Sequence, residues 1–312
     1  MKKAVFADIG VFSRLESDPL AEIVEARYHY DTPDANTLAQ RCRDVHIVVW
    51  GWGSITNEII DSSPNIEMIC YLGVGAGGQI DLQYAKSKGI TVCNTPHYGD
   101  LAVAEHGVAL MMASARKVVQ ADRSIHKGQW ESFGGIELRG ATMGIVGLGG
   151  VGVELAVIGN ALGMNVICYT RRPSPERAEK HKVRFVNLDE LMSTSDYVQM
   201  AQVLNDETQG MIGEQELGRM KKEAYLINVA RGQVVDQAAL LKALKENRIA
   251  GYATDVFEED PVKKEPLLEL DNVIATPHIA FDTPGAKKKM LEIAIDNVRA
   301  YMEGKPQNVL VP

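Results

Sequence analysis

Three short strings in the second half of the chain contain the residues best suited to acid-base and anion chemistry. They are INVARGQVVD (227–236), TDVFEEDP (254–261) and ATPHIA (275–280), and they supply Arg231, a cluster of carboxylates and His278. A guanidinium binds a carboxylate through two parallel N–H bonds, and an imidazole gives and takes a proton around neutral pH. Each string follows a predicted strand, so we expect these groups to share the carboxyl edge of one parallel sheet, where ligands bind.

A glycine-rich string, GLGGVG (147–152), indicates what else binds there. It follows the apolar run 143–146 and opens a helical pattern that continues to Leu162. The first glycine of G-x-G-x-x-G permits a tight turn, the second lets backbone N–H groups approach a pyrophosphate, and the third lets the helix pack against the strand. The partial positive charge at the helix N-terminus also favours phosphate. The predicted cofactor contacts are Gly147, Gly149, Gly150, Val151 and Gly152.

Alternating strand and helix patterns must position these groups. The first part of the chain predicts strands at 3–7, 45–49, 66–72 and 90–93, and a long apolar helix is expected at 100–119. The rhythm restarts near residue 140, with strands expected at 143–146, 183–185, 197–200, 225–228, 249–253 and 273–275. A final helix is expected at 286–302. Such alternation predicts an α/β fold with two doubly wound parallel-sheet domains of the Rossmann or flavodoxin-like kind.

The composition limits the class of partner. A chain of 312 residues suggests about two domains, and its net charge of -8 argues against nucleic acid or an anionic membrane as a partner. Asp8 interrupts the first apolar run too early for a signal peptide, and no stretch approaches the length of a membrane span. The four widely spaced cysteines are expected to be buried free thiols. We therefore expect a cytoplasmic protein without a metal site.

The chain resembles the D-isomer-specific 2-hydroxyacid dehydrogenases. The resemblance extends from about residue 45 to the C-terminus and includes GVG (73–75), AVAEH (102–106), the glycine-rich string and the three strings above. It implies that a nucleotide domain is inserted into a substrate domain and that the last helix returns to the latter. We place the substrate domain at 1–96 and 281–312 and the dinucleotide-binding domain at 97–280. The resemblance also implies a homodimer formed through the nucleotide domain.

The resemblance implies roles in transferring a hydride between nicotinamide C4 and the C2 carbon of a 2-oxo or 2-hydroxy acid. Arg231 would bind the substrate carboxylate, and His278 would be the acid and base at the C2 oxygen. Family members hold this histidine with a glutamate, whose place is taken here by Asp260, which is one methylene shorter. Glu258 and Glu259 are the alternative partners.

Further contacts are implied in the same way. Backbone N–H groups at Val74 and Gly75 would hold the substrate carboxylate, although a cluster of glycines there is also compatible with a plain tight turn. Asp255 would hold the nicotinamide carboxamide. Thr208, in an altered form of the family's string, and Ala230 would approach the cofactor.

For three other side chains, the sequence indicates a role less specifically. Trp50 and Trp52 occupy positions where relatives usually have smaller or charged residues, so they are interpreted either as narrowing the substrate pocket or as hinge packing. His106 lies on the apolar helical pattern and is expected to be a packed, hydrogen-bonded residue.

The end of the strand that follows the glycine-rich string and its helix predicts which dinucleotide is bound. An NAD-binding unit has an acid there, which accepts hydrogen bonds from the ribose hydroxyls, whereas this chain has Thr170, Arg171 and Arg172. A carboxylate would repel a 2′-phosphate, and guanidinium and hydroxyl groups attract it. We therefore predict a preference for NADP(H) over NAD(H). The alternative is that both arginines belong to a solvent-exposed loop.

The sequence thus predicts an NADP(H)-dependent reductase of small 2-oxo acids, of the glyoxylate or hydroxypyruvate kind. One alternative is an NAD-dependent dehydrogenase acting, for instance, on 3-phosphoglycerate, although no basic pocket for a phosphate is evident in the first domain. A second is a nucleotide-sensing protein like the co-repressors that share the fold. The retention of Arg231 and His278 argues against the second.

Overall fold

The computed structural model describes residues 1–11, 15, 17–259 and 261–312, which divide into two compact units. One unit comprises Met1–Gly99 and Asp282–Pro312, and the other comprises Asp100–Phe281. The chain leaves the first unit once and returns to it, so the second unit is an insertion. Each unit contains one α/β sheet, which confirms the predicted fold class.

The first unit is built on a six-stranded sheet. Its strands are β1 Lys3–Phe6, β2 Glu25–Tyr28, β3 Ile47–Trp50, β4 Met68–Tyr71, β5 Thr91–Cys93 and β13 Val309–Val311. Their order is β13-β5-β4-β3-β1-β2, and all neighbours are parallel except β13, which is antiparallel to β5. The strands β2 and β13 were not predicted, because both are sheet edges in which most side chains are exposed or half-buried.

The described part of this unit has four α-helices. They are α1 Ala35–Cys42, α2 Asn57–Asp61, α3 Leu82–Ser87 and α11 Pro284–Met302. Each begins after a residue whose side chain accepts a hydrogen bond from the first turn, as helix N-termini require. The capping residues are Asp34, Thr56, Asp81 and Thr283.

The second unit is built on a seven-stranded sheet. Its strands are β6 Thr142–Val146, β7 Asn165–Tyr169, β8 Arg184–Phe185, β9 Tyr197–Met200, β10 Tyr225–Asn228, β11 Gly251–Thr254 and β12 Val273–Ala275. All are parallel, in the order β12-β11-β10-β9-β6-β7-β8. Its helices are α4 Asp100–Ala115, α5 Val118–His126, α6 Gly150–Ala161, α7 Pro175–His181, α8 Leu188–Thr194, α9 Glu214–Arg219 and α10 Gln237–Lys245. The strands β9, β10 and β11 are buried along their whole length, as a parallel sheet covered on both faces requires.

The long helix predicted at 100–119 is in fact two helices. Lys117 has a φ of 53°, in the left-handed region, which ends α4 and redirects the chain into α5. Its ammonium lies 4.7 Å from the ring centre of Tyr225 and bonds the phenol oxygen of that residue. Asp100 is the first residue of α4.

All four cysteines are buried and free, which confirms that prediction. Burial raises the pKa of each thiol, as expected for cysteines that serve packing. Of the described residues, none belongs to a helix that is long and apolar enough to cross a bilayer.

Candidate active site

The groups of interest in the second unit all follow strands of one sheet. The glycine-rich string follows β6, and Arg231, Asp255 and His278 follow the neighbouring strands β10, β11 and β12. Because the strands are parallel, their carboxyl ends lie at the same edge. This is the edge where open α/β sheets bind their ligands.

The glycines of the string meet three different requirements. Gly147 has a φ of +100°, and a Cβ there would lie 2.9 Å from the backbone of Ala201. A Cβ on Gly152 would lie 2.1 Å from the carbonyl oxygen of Gly147. Gly149 differs, since nothing lies within 4 Å of its Cβ position. Two glycines therefore close the turn, and Gly149 leaves open space beside the backbone.

The N-terminus of α6 is suited to an anion. Gly150 and Val151 are its first residues, and its N-cap, Gly149, has no side chain to accept their N–H bonds. A Cβ on Gly150 would lie 1.8 Å from Oδ2 of Asp100, so this carboxylate would have to move for a larger residue to fit. The open backbone at Gly149 and the N-terminus of α6 fit the pyrophosphate of a dinucleotide.

Thr170, Arg171 and Arg172 come directly after β7. Thr170 is half-buried and both arginines are exposed. Arg171 pairs with the carboxylate of Glu207. No carboxylate in the described part of the chain pairs with the guanidinium of Arg172. Arg172 is therefore the more available of the two for a further anion.

Arg177 was not singled out from the sequence. It lies on α7, where its guanidinium donates to the carbonyl oxygen of Arg172 at 2.7 Å and to that of Leu148. It thereby ties the loop after β7 to the glycine-rich string. Nothing in its spacing indicates this role, because the contact depends on how α7 packs.

Thr208 closes its own loop. Its hydroxyl donates to the carbonyl oxygen of Val203 at 2.7 Å and accepts the N–H of Asn205 at 2.8 Å. The residue is buried. Its contact with a cofactor remains a prediction.

Asn228 shapes the turn that presents Arg231, and sequence reasoning missed it. Its fully buried amide accepts the N–H of Ala230 at 3.0 Å and donates to the carbonyl oxygen of Arg231 at 2.9 Å. A Cβ on Gly232 would lie 2.1 Å from the carbonyl carbon of Phe257, so this turn packs directly on the next loop. The asparagine that ends the apolar run YLIN is the one sequence signal that could have indicated this turn.

His278 is held in an unusual backbone conformation. Its φ is 56°, and its N–H donates to the carbonyl oxygen of Asp255 at 2.9 Å. The fully buried carboxylate of Asp255 accepts the N–H groups of Ile279 at 2.9 Å and Ala280 at 2.7 Å. The imidazole meets the ring of Phe281 edge-on, with centroids 6.0 Å apart. The loop is therefore folded around one carboxylate.

The acidic partner predicted for His278 stays a prediction. Asp260 lies outside the described residues. The alternatives, Glu258 and Glu259, are both exposed. The backbone here is anchored by Gln233, whose amide donates to the carbonyl oxygen of Glu258 at 2.8 Å.

In the first unit, Val74 and Gly75 follow β4. Asn94 donates to the carbonyl oxygen of Val74 at 2.7 Å, and the hydroxyl of Thr95 accepts the N–H of Gly73 at 2.9 Å. Within the described ranges, no acceptor engages the N–H groups of Val74 and Gly75. The loop is thus fixed from one side and presents two backbone donors.

The two tryptophans differ. Trp50 is fully buried in the core of the first unit, with its ring 5.0 Å from that of Tyr71. Trp52 is 43% exposed. The buried carboxylate of Asp8 accepts the N–H groups of Gly51 at 2.9 Å and Trp52 at 2.5 Å. Trp50 therefore has the contacts of a packing residue, and Trp52 is left as the substrate candidate.

Comparison with known proteins adds independent information. The family model described as "D-isomer specific 2-hydroxyacid dehydrogenase, NAD binding domain" matches residues 108–280. A glyoxylate reductase of Thermococcus gammatolerans is 39% identical over 284 residues, covering 88% of this chain and 85% of that protein. A D-3-phosphoglycerate dehydrogenase of Archaeoglobus fulgidus is 42% identical over 263 residues, covering 83% of this chain. The match spans only 50% of the length of that relative.

A solved structure also resembles the whole chain. It is an acyclic imino acid reductase in complex with NADPH and D-Arg, 32% identical, with a TM-score of 0.87. The match covers 99% of this chain and 100% of that chain.

Proposed function

Because the chain belongs to the D-isomer-specific 2-hydroxyacid dehydrogenases, a family of NAD(P)-dependent oxidoreductases, we propose that it reduces small 2-oxo acids with NADPH. The substrates are of the glyoxylate or hydroxypyruvate kind, and the products are D-2-hydroxy acids. One observation carries the proposal: the glycine turn, Arg231 and His278 all follow strands at one edge of the second sheet. The glyoxylate reductases that match along most of their length support this substrate class.

The chemistry divides among a few groups. A bound nicotinamide dinucleotide supplies the hydride for the C2 carbon of the substrate. Arg231 binds the substrate carboxylate. The family resemblance also implies a carboxylate contact for the backbone donors of Val74 and Gly75. His278 donates a proton to the C2 oxygen during reduction and accepts it in the reverse reaction. Asp260 orients His278, as the family resemblance implies.

The preference for NADPH follows from the loop after β7. Thr170 offers a hydroxyl, and Arg172 offers a guanidinium that pairs with no carboxylate of the described residues; an acid at this place would repel a 2′-phosphate. Arg171 is a second ligand for the 2′-phosphate, and to reach it Arg171 must leave its ion pair with Glu207. Because an exposed ion pair of this kind is weak, little free energy is lost when it breaks. The solved relative that binds NADPH supports the same cofactor class.

The test is a panel of 2-oxo acids assayed against both reduced cofactors. We expect turnover of glyoxylate and hydroxypyruvate, with a higher kcat/KM for NADPH than for NADH. Arg231→Lys is a useful companion variant, because it keeps the charge and loses the two-pronged hydrogen bonding. A higher kcat/KM with NADH would contradict the cofactor proposal, and a lack of turnover with every 2-oxo acid would contradict the reaction.

A second candidate is an NAD-dependent dehydrogenase of 3-phosphoglycerate. The relative from Archaeoglobus fulgidus favours it, although this chain spans half of that protein. The exposed indole of Trp52, in the loop after β3, has no charge with which to bind a phosphate, so it favours a substrate without one. Oxidation of 3-phosphoglycerate with NAD⁺, measured beside the panel, distinguishes the two. Tight nucleotide binding without any turnover would instead identify a nucleotide-sensing protein.

We further propose a homodimer formed through the second unit. The indole of Trp130 is 95% exposed, and Met112, Val118, Ile125 and Ile136 near it along the chain are exposed as well. Exposed apolar side chains in this number are typical of an interaction surface. Light scattering during size-exclusion chromatography would give twice the chain mass, and a chain-sized particle would contradict the proposal.

A further inference from the structure

His106 is linked to the loop of His278 by a chain of hydrogen bonds. Its Nε2 lies 2.9 Å from Oγ1 of Thr276, and that hydroxyl donates to Oδ1 of Asp255 at 2.6 Å. Nε2 itself is 3.6 Å from the same carboxylate oxygen. The carboxylate of Asp255 also holds the two N–H groups that follow His278. This confirms that His106 is a hydrogen-bonded residue.

The direction of each hydrogen bond follows from the single hydroxyl proton of Thr276. The carboxylate oxygen of Asp255, at 2.6 Å, is nearer than the carbonyl oxygen of Thr254, at 3.5 Å, and a carboxylate is the stronger acceptor. With its proton on that bond, Oγ1 is an acceptor toward His106. The hydrogen of the imidazole is therefore on Nε2.

The helix that presents His106 is anchored at this position. Gln199 of β9 is fully buried and donates from Nε2 to the carbonyl oxygen of Gly107 at 3.1 Å. A Cβ on Gly107 would lie 2.9 Å from Oε1 of the same glutamine, so the helix and the strand are in close contact. The side chain of His106 is only 20% exposed. The Nε2–H group of His106 is therefore presented to the loop of Thr276 and His278 by a helix that is itself held in place.

We propose that His106 is a positioning residue for the proton transfer performed by His278. By donating to Thr276, it holds the Asp255 carboxylate in the orientation around which residues 278–280 fold. That loop needs such support, because a non-glycine residue with a φ of 56° is strained. The kinetic consequences rest on the proposed function, whereas the hydrogen-bond arrangement does not.

The arrangement is tested without any activity assay. Protein labelled with ¹⁵N in its imidazole rings is studied by long-range ¹H–¹⁵N NMR at alkaline pH, and the signals of His106 are identified by their loss in His106→Gln. We expect the proton on Nε2 and an unprotonated Nδ1. A proton on Nδ1 alone would overturn the inference.

Three substitutions of His106 separate a positioning role from simple packing. His106→Gln places an N–H donor near the former Nε2, His106→Asn places one near the former Nδ1, and His106→Leu has none. We expect His106→Leu and His106→Asn to lower kcat about 10- to 100-fold with little change in the KM for NADPH, as a displaced catalytic group would. His106→Gln should recover most of the loss. Equal losses in His106→Gln and His106→Leu, or an unchanged kcat in His106→Leu, would overturn the inference.

A second series tests the pathway through Thr276. Thr276→Val keeps the shape and removes the hydroxyl, so it should lower kcat as much as His106→Leu, and the double variant should lose no more than either alone. Additive losses would overturn the inference. Ser114→Ala is the matched control, since it removes a buried hydroxyl that bonds only Leu110 of the same helix, and it should leave kcat unchanged. If the unmodified protein reduces no 2-oxo acid, the proposed function fails, and the NMR result still decides the hydrogen-bond arrangement.

Discussion

Replacing Asp8 by asparagine removes a carboxyl group whose ionised form is costly to bury. Burial raises the pKa of Asp8 from 3.8 to about 6, although the N–H groups of Trp52 and Gly51 and the charge of Arg41 act in the opposite direction. The folded protein therefore binds this proton more tightly than the unfolded chain does. The contribution of Asp8 to stability is greatest at low pH and is lost as the pH rises from about 4 to above 6.

The expected magnitude follows from the shift. At about 1.36 kcal/mol per pH unit, a change from 3.8 to about 6 corresponds to about 3 kcal/mol in the free energy of unfolding. Asparagine does not ionise, so the stability of Asp8→Asn relative to the unmodified protein should increase by about 2–3 kcal/mol between pH 4 and pH 7.5. Taking the difference between the two proteins removes the contributions of the other carboxylates.

Urea unfolding followed by tryptophan fluorescence measures this difference. The chain has three tryptophans, and Trp130→Phe removes the one in the second unit, so that Trp50 and Trp52 report on the first unit. Asp34→Asn is the matched control, because a backbone hydrogen bond from Thr37 lowers the pKa of Asp34 and its effect should have the opposite sign. A stability difference between Asp8→Asn and the unmodified protein that did not change with pH would refute the reasoning.

Three further outcomes are expected. Gly152→Ala should weaken NADPH binding at least about tenfold in a fluorescence titration, because its Cβ would clash with the carbonyl oxygen of Gly147. Gly149→Ala should leave the melting temperature unchanged, because its Cβ would lie in open space, and it should obstruct only the cofactor. Arg172→Ala should lower kcat/KM for NADPH about tenfold and leave kcat/KM for NADH unchanged, and equal losses with both cofactors in this variant would contradict a phosphate contact. Glu207→Gln should raise the preference for NADPH, because it releases Arg171 from its ion pair. Trp130→Glu should shift the particle mass to that of one chain, and an unaltered dimer would place the interface elsewhere.

Much of the fold could be predicted because the central strands are mostly apolar. In β3, β4, β9 and β10 the polar side chains are Gln199 and Asn228, and nearly every residue is buried, as in a parallel sheet covered on both faces. The edge strand β2, with the sequence EARY, has no such signal. Lys117 was also missed, since nothing in a lysine's type indicates that it will adopt a left-handed conformation and end a helix.

The residues proposed to contact ligands could be named from the sequence, and the residues that support them could not. Arg231 and His278 stand within recognisable strings, just past the ends of predicted strands. Arg177 and Asn228 act through contacts with backbone carbonyl groups that come from elsewhere in the chain or from a turn. Such contacts exist only once helices and loops have packed. No spacing rule in the sequence encodes them.

The inserted arrangement of the two units has a consequence for synthesis. Asn297 of α11 donates to the carbonyl oxygen of Asn94, 203 positions earlier, and β13 pairs with β5. Contacts between such distant positions form slowly, and the first unit cannot close its core until its second segment has left the ribosome. The second unit is one continuous segment, and it is synthesised before the second segment of the first unit. A dinucleotide that binds it during translation would stabilise the nascent chain, so cofactor supply would influence the yield of folded protein as well as its turnover.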